Sequence, residues 1–148
     1  MELLTDEQRR FLLARPVAHL ATADGNGVPH VVPVCFAVLG ERCYVAIDEK
    51  PKRVAALHLK RVRNVLANPA VSLVADRYAD DWSHLGYVLL RGHAHLLERG
   101  EEHRAAVGLL RERYPQYRKM ALEGAMVIAI TIERVSSWGD LGPEEENA

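Results

Sequence analysis

The stretch VAHLATADGNGVPHVVPVCFAV, residues 17–38, decides the fold. Residues 17–23 read as a β-strand, and Asp24-Gly25-Asn26-Gly27 reads as a turn. Residues 28–38 follow as a second, long strand, so the segment is a β-hairpin. Pro29 and Pro33 cannot donate to a ladder, which puts parts of that strand at a sheet edge or against a ligand. Gly40 and Glu41 turn the chain again, and residues 43–47 (CYVAI) form a third strand. Upstream, Thr5 caps a first helix, with Gln8 completing a capping box. Asp6 and Glu7 suit the positive end of its dipole. Pro16 stops it near Arg15.

Residues 48–69 are helical in pattern, with Ala55, Leu59, Val62 and Leu66 on one face. Lys60 and Arg61 fall off that face. Leu57 is a misfit, so we expect a short turn over 51–57 and a second helix starting near His58 or Leu59 and ending at Asn68-Pro69. Three further strands are expected at 70–76, 86–97 and 125–135, with a polar loop at 77–83 carrying Trp82. A helix at 99–113 turns Ala106, Leu109 and Leu110 inward. The last strand leads into Ser136, Ser137, Trp138 and Gly139. The count is six strands and three to four helices, mainly β in an α+β arrangement. Strand–helix–strand alternation is missing, which argues against a doubly wound parallel sheet. A small antiparallel barrel with helices at its ends fits better. The domain expectation is one unit over 1–140 and an acidic, disordered tail over 141–148.

The 148 residues are 49% hydrophobic and 26% charged, the balance of a globular chain. Nineteen Lys and Arg against 20 Asp and Glu leave a formal net charge of −1, unlike the strongly basic domains that bind nucleic acid generally. No apolar run approaches the ~18 residues of a membrane span. The N-terminal residues lack a signal-peptide pattern. Two cysteines, Cys35 and Cys43, make no disulfide framework, and the expected compartment is the cytoplasm.

Lys50, Lys52, Arg53, Lys60, Arg61 and Arg63 crowd into 14 positions. The cluster is either a solvated helix face or an anion site. If a helix starts at Leu59, its open N–H groups add to Lys60 and Arg61 to favour a phosphate. His93 and His95 share one sheet face and could chelate a metal, but no third ligand is evident, so no metal site is expected. His19 and His30 read as strand histidines. No nucleophile elbow, phosphate loop or dinucleotide fingerprint is present. Cys35, in an apolar strand without a neighbouring base, reads as an inert thiol. Trp82 and Trp138 are candidates for stacking on a planar ligand or closing an interface.

These residues stand in a familiar order. The segments HLATADGNGVPHVVPVCF (19–36), DEKPKR (48–53), KRVRNVLANPAVSLVAD (60–76), DDW (80–82) and ERVSSWG (133–139) together resemble the pyridoxamine-phosphate-oxidase-like split-barrel family. More narrowly, the chain is similar to the branch of probable deazaflavin (coenzyme F420)-dependent oxidoreductases. The resemblance implies a six-stranded antiparallel split β-barrel of the FMN-binding type, assembled as a homodimer with cofactor at the subunit interface. It implies that the backbone of Val32, Pro33 and Val34 runs along the cofactor ring, and that Ala46, Ile47 and Asp48 line it. It further implies that Lys60 and Arg61 take the phosphate, that Trp82 lies close to the cofactor, and that Trp138 reaches the site from the partner subunit. Lys52, with Lys50 and Arg53, would hold the longer anionic tail of the deazaflavin.

The classical oxidase has an Arg where this chain has Val32, and C-terminal residues that this chain does not supply. Pyridoxamine phosphate oxidation itself is therefore not expected. The expected activity is F420-dependent hydride transfer to or from a small unsaturated substrate. The alternatives are an FMN oxidoreductase of the same fold, a non-catalytic flavin- or tetrapyrrole-binding module, or a structural dimer with an empty groove. No side chain is assigned a catalytic role, although His30 and Tyr87 are candidate proton donors.

Overall fold

The computed structural model describes residues 2–48 and 56–144. Helix α1 (Asp6–Leu13) opens the chain with the expected capping box: Thr5 Oγ1 accepts from Gln8 N–H at 3.0 Å, and Gln8 Oε1 accepts from Thr5 N–H at 2.9 Å. Then come β1 (Ala18–Ala23), β2 (Pro29–Val34), β3 (Ala37–Leu39), β4 (Arg42–Ala46), helix α2 (Lys60–Ala67) and β5 (Ala70–Arg77). A 3-10 turn at Trp82–His84 precedes β6 (Gly86–Leu97) and helix α3 (Glu101–Arg113). A second 3-10 turn at Pro115–Lys119 leads to β7 (Val127–Gly139).

The strands form one antiparallel sheet in the order β2-β1-β5-β6-β7-β4-β3. Its two edge strands, β2 and β3, are consecutive in sequence and separated only by Cys35 and Phe36. Three Cα steps reach at most about 11 Å. The sheet must therefore curl until its edges meet, which makes it a barrel with a seam. Pro29 and Pro33 sit in edge strand β2, where a missing N–H is tolerated.

Here the structure corrects the sequence reading. The expected strand over 28–38 is two strands, so the barrel has seven strands rather than six. The break has a clear cause. Phe36 is fully buried, and its backbone bonds to side chains instead of a ladder: its N–H donates to Tyr114 Oη at 3.0 Å and its carbonyl accepts from Arg113 Nη1 at 2.8 Å. Strand β7 also runs further than expected, so Trp138 lies within it.

Leu20, Phe36, Ile47, Leu73, Leu90, Ile128, Ile130 and Ile132 fill the barrel interior. A second cluster lies outside β4 and β7, where Tyr44, Ala46, Val127 and Ala129 pack under Ala106, Val107 and Leu110 of α3. Between β6 and β7 a bulge falls at Arg91/Gly92, with Glu133 as the extra residue. A Cβ on Gly92 would lie 1.9 Å from the Thr131 carbonyl oxygen, so the two strands approach as closely as they do only because the position is glycine.

Helix α2 starts where expected but turns a different face inward. Val62 and Val65 join the barrel core, Asn64 Nδ2 donates to Thr22 Oγ1 at 3.0 Å, and Arg61 is buried with them. Leu66, expected inside, is 63% exposed. The buried polar bond to β1 sets the rotation, which hydrophobic periodicity cannot register. The expected turn over 51–57 lies largely outside the described residues, as do Lys50, Lys52 and Arg53. Of the expected tail, Leu141 is buried in the barrel cluster and Arg77 Nη1 donates to the Gly142 carbonyl at 2.7 Å, while residues 145–148 lie outside the described residues. Among the described residues, no helix is long and apolar enough to cross a membrane.

Candidate functional site

The break after β2 leaves an opening at the seam of the barrel. A cavity of about 170 Å³ there is lined by Val17, Pro33, Val34, Cys35, Ala46, Asp48 and Arg61. Three elements build it. The end of β2 supplies Pro33 and Val34, the end of β4 supplies Ala46 and leads to Asp48, and the first turn of α2 supplies Arg61. The walls are apolar except for one carboxylate, one guanidinium and one thiol.

Arg61 is the second residue of α2 and only 8% exposed, so its charge is held at the cavity rather than in bulk water. Leu59 caps that helix in an extended conformation without any side-chain hydrogen bond, and the first turn carries no acidic residue. The positive end of the dipole is thus not answered by a side chain of its own helix. Opposite, Asp48 Oδ2 accepts from Tyr117 Oη at 2.5 Å. Burial, followed by the neighbouring Asp48 carboxylate, pushes the Tyr117 phenol far above its ordinary range. Burial also raises the Cys35 thiol, although its contact with Tyr117 opposes that shift. Cys35 therefore lines the cavity as a neutral thiol.

Of the residues anticipated from sequence, Pro33, Val34, Ala46, Asp48 and Arg61 come together at this cavity. The others do not line it. Val32 shares the inward face of β2 with Val34 but packs against the barrel interior away from the cavity, and Ile47 is buried in the core. Lys60 Nζ lies 3.9 Å from Asp24 Oδ2 of the hairpin turn. Asp24 is held below the usual carboxylate range, chiefly by the Val28 N–H. Trp82 is 69% exposed in its 3-10 turn, where Asp81 caps Ser83 N–H at 3.0 Å. Trp138 is 56% exposed and stacks on Tyr87, ring centroids 6.2 Å apart. Lys52 lies outside the described residues.

Sequence reading missed Val17, Cys35 and Tyr117 as parts of this site. Tyr117 stands 69 positions from Asp48 in a segment without periodicity, so no local signal marks it. Cys35 carried the signal of its neighbours, since it directly follows two residues that were anticipated. His93 pairs with Glu133, and His95 Nε2 lies 4.0 Å from Glu102. Among the described residues, no three His, Cys, Asp or Glu side chains gather as a metal site would require.

The outer face of the sheet away from α3 is a second feature. Pro33, His19, Val74, Leu89 and Ser136 follow one another across β2, β1, β5, β6 and β7 in direct register. Val31 is 62% exposed on the same face of β2, and the Tyr87–Trp138 stack stands beside Leu89. On this face Val31, Tyr87 and Trp138 are exposed, Val74 and Leu89 are half-buried, and His19 and Ser136 are polar.

A family model described as pyridoxamine 5'-phosphate oxidase matches residues 4–139. No curated protein matches the chain. Among solved structures, HutZ, the heme storage protein from Vibrio cholerae, is similar with a TM-score of 0.71 at 22% identity, over 94% of this chain and 95% of that one. A conserved hypothetical protein from Mycobacterium tuberculosis gives 0.74 at 20% identity, over 99% and 94%. A FAD-binding protein from Mesorhizobium loti gives 0.66 at 24% identity, over 90% and 94%. At these identities the likeness is one of fold. The family match spans both sides of the seam, from before α1 to the end of β7, and on that ground this chain belongs to the pyridoxamine 5'-phosphate oxidase family.

Proposed function

We propose that this protein is an oxidoreductase that holds a flavin-type cofactor, the deazaflavin coenzyme F420 before FMN, at the interface of a homodimer. The observation that carries the reading is the meeting of Pro33, Val34, Ala46, Asp48 and Arg61 around one cavity. These residues suit such a cofactor. The apolar edge of Pro33, Val34 and Ala46 matches the rim of a planar ring. Arg61, next to a helix start that no side chain caps, matches a phosphate. In this reading Lys60 exchanges Asp24 for that phosphate, and Lys50, Lys52 and Arg53 hold the anionic tail that F420 has and FMN lacks. When bound, the deazaflavin supplies hydride chemistry. The chain binds it, fixes its orientation and shields one side from water.

Size supports the dimer. Small-molecule sites usually hold about 300–1,000 Å³, and this cavity holds about 170 Å³. One chain thus offers part of a site, and a second copy docked on the exposed outer face of the sheet would supply the rest. In that reading Trp138 and Trp82 serve the partner's cofactor. The tetrapyrrole alternative has a fold relative in the heme storage protein. Its weakness is chemical: among the described residues the lining includes no histidine, and Cys35 is kept protonated.

Trp82 and Trp138 are the only tryptophans, so intrinsic fluorescence follows the titration. With F420, FMN and hemin as separate ligands, the expected result is micromolar F420 binding, with FMN at least tenfold weaker. Arg61→Gln should weaken F420 by about ten- to a hundredfold, the loss of a charge-assisted phosphate contact. Tighter FMN binding moves the protein to the flavin branch. Tightest binding of hemin, or no binding of any ligand below about millimolar, overturns the reading.

A further inference from the structure

We infer that the groove between α3 and the loop before β7 is a second ligand site, for an organic carboxylate with a slender apolar chain. This inference does not rest on the cofactor reading. The groove holds about 450 Å³ and is lined by one side of α3, by Arg99 and Gly100 before it, and by Glu123 of the loop. That volume is within the range of small-molecule sites, unlike that of the seam cavity. The groove belongs to the helical layer and shares no residue with the bare sheet face that a second copy would cover.

Its two ends differ in charge. At the far end Arg111 Nη1 donates to Glu123 Oε1 at 2.6 Å, and Nη2 donates to the Met120 carbonyl at 2.8 Å. The carboxylate in the lining is thus answered from within the protein, and the pair ties the loop to the helix. At the near end Arg99 and Arg104 are exposed, and among the described residues neither guanidinium has an ion pair or a hydrogen bond. Of the acids near them, Glu102 accepts from Tyr44 Oη on the sheet side and Glu98 has a partner of its own. Glu101 alone is left to offset two guanidiniums, an imbalance that suits a monoanion. Gly100 caps α3 without a side chain, so the first N–H groups of the helix are open beside them.

Between the ends the wall is bare. Gly108 stands in the middle of α3, where glycine weakens a helix relative to alanine. Nothing lies within 4 Å of the place its Cβ would take. Packing within this chain therefore does not require glycine there, and a side chain would project into the groove beside buried Val107. From Arg104 to Arg111 the helix rises about 10 Å, close to the reach of an extended octanoate. The two open forks take the carboxylate, and the chain lies along Val107 and Gly108.

The test uses the full-length, 15N-labelled protein with octanoate, octanamide and acetate as probes, read from backbone amide shifts. Octanoate should produce saturable shifts at Gly100, Arg104, Gly108 and Glu123, and none of that size at Leu89 of the sheet face. Octanamide, which keeps the chain and loses the charge, and acetate, which keeps the charge and loses the chain, should each bind at least tenfold more weakly. Arg99→Gln/Arg104→Gln should weaken octanoate by tenfold or more with an unchanged thermal midpoint, since both side chains are exposed. Gly108→Leu should weaken it as much without lowering the thermal midpoint, because leucine is the better helix former. Equal binding of octanamide and octanoate, or of acetate and octanoate, would overturn the site. So would octanoate binding that survives Gly108→Leu, equal shifts at Leu89, or no saturable shift at the groove amides. A change of oligomeric state in the arginine variant would also overturn it, by assigning the forks to a partner chain's carboxylate.

Discussion

Tyr44 illustrates how a single side chain ties the barrel to its outer helix. It belongs to β4, lies under α3, and donates from Oη to Glu102 Oε2 at 2.8 Å. Burial, then the bond to Glu102, pushes its phenol up to about 12. Just before it in β4, the Cys43 thiol is buried in the barrel interior, and burial pushes it too up to about 12. In the unfolded chain these groups release their protons near 10 and 9. Between those values and about 12 the unfolded state holds fewer protons than the folded one, so stability must fall as pH rises. Stability should thus be level from about pH 7 to about pH 9 and decline from there to about pH 12. Urea midpoints measured at pH 8, 10 and 11.5 check this. Tyr44→Phe should cost about 0.5–1.5 kcal/mol at pH 8 through the lost hydrogen bond, and its decline above pH 10 should be shallower than that of the wild type. An equal slope in both proteins would mean that Tyr44 titrates normally.

At the scale of elements, the decisive event is the division of one expected strand into β2 and β3. It sends consecutive residues to opposite edges of the sheet. Tyr114 stands at the join: its Oη takes the Phe36 N–H at 3.0 Å and donates to the Pro16 carbonyl at 2.9 Å. Tyr114→Phe would leave the buried Phe36 N–H unpaired, which costs about 1–3 kcal/mol. A denaturant midpoint shift of that size is the expected result. The same variant should loosen the seam, so that amide exchange at Phe36 and Ala37 speeds up more than at Leu90 in the barrel wall. Uniform acceleration would show instead that the variant only lowers global stability. This join also marks the boundary of what sequence can disclose. The DGNG turn, the prolines of β2 and the capping box of α1 are local signals, and each appears in the structure where the sequence puts it. The break at Cys35–Phe36 depends on Arg113 and Tyr114, some 77 and 78 positions away, and leaves no local trace. The face of α2 is similar, since Asn64 and Thr22, 42 positions apart, set its rotation.

For the whole molecule, five of the seven residues lining the seam cavity were legible for a related reason. Pro33, Val34, Ala46, Asp48 and Arg61 sit at strand ends and at a helix start, positions that hydrophobic pattern and turn residues locate well. Tyr117 and the divergence of Lys60 toward Asp24 come from packing between distant segments, which pattern does not locate. The outer sheet face raises the same issue in reverse. Strand alternation predicts a polar solvent face, yet this face carries Val31, Pro33, Val74, Leu89, Tyr87 and Trp138. A standard interface takes about 800 Å² from each partner, about a tenth of this chain's 8825 Å² of surface. Val31 tests whether a second copy covers it. At 62% exposure and on an edge strand, Val31→Glu should alter monomer stability by no more than about 0.5 kcal/mol. In a dimer the same carboxylate would be taken out of water without a partner, at a cost of several kcal/mol. Sedimentation should then find the wild type as a dimer and Val31→Glu as a folded monomer with an intact urea midpoint at low protein concentration. That monomer should also bind F420 more weakly than the wild type, because it retains Arg61 and loses only what the second copy contributes. A wild type that sediments as a monomer, or a variant that remains dimeric, would remove the outer face from the site and leave the seam cavity to be completed from within the same chain.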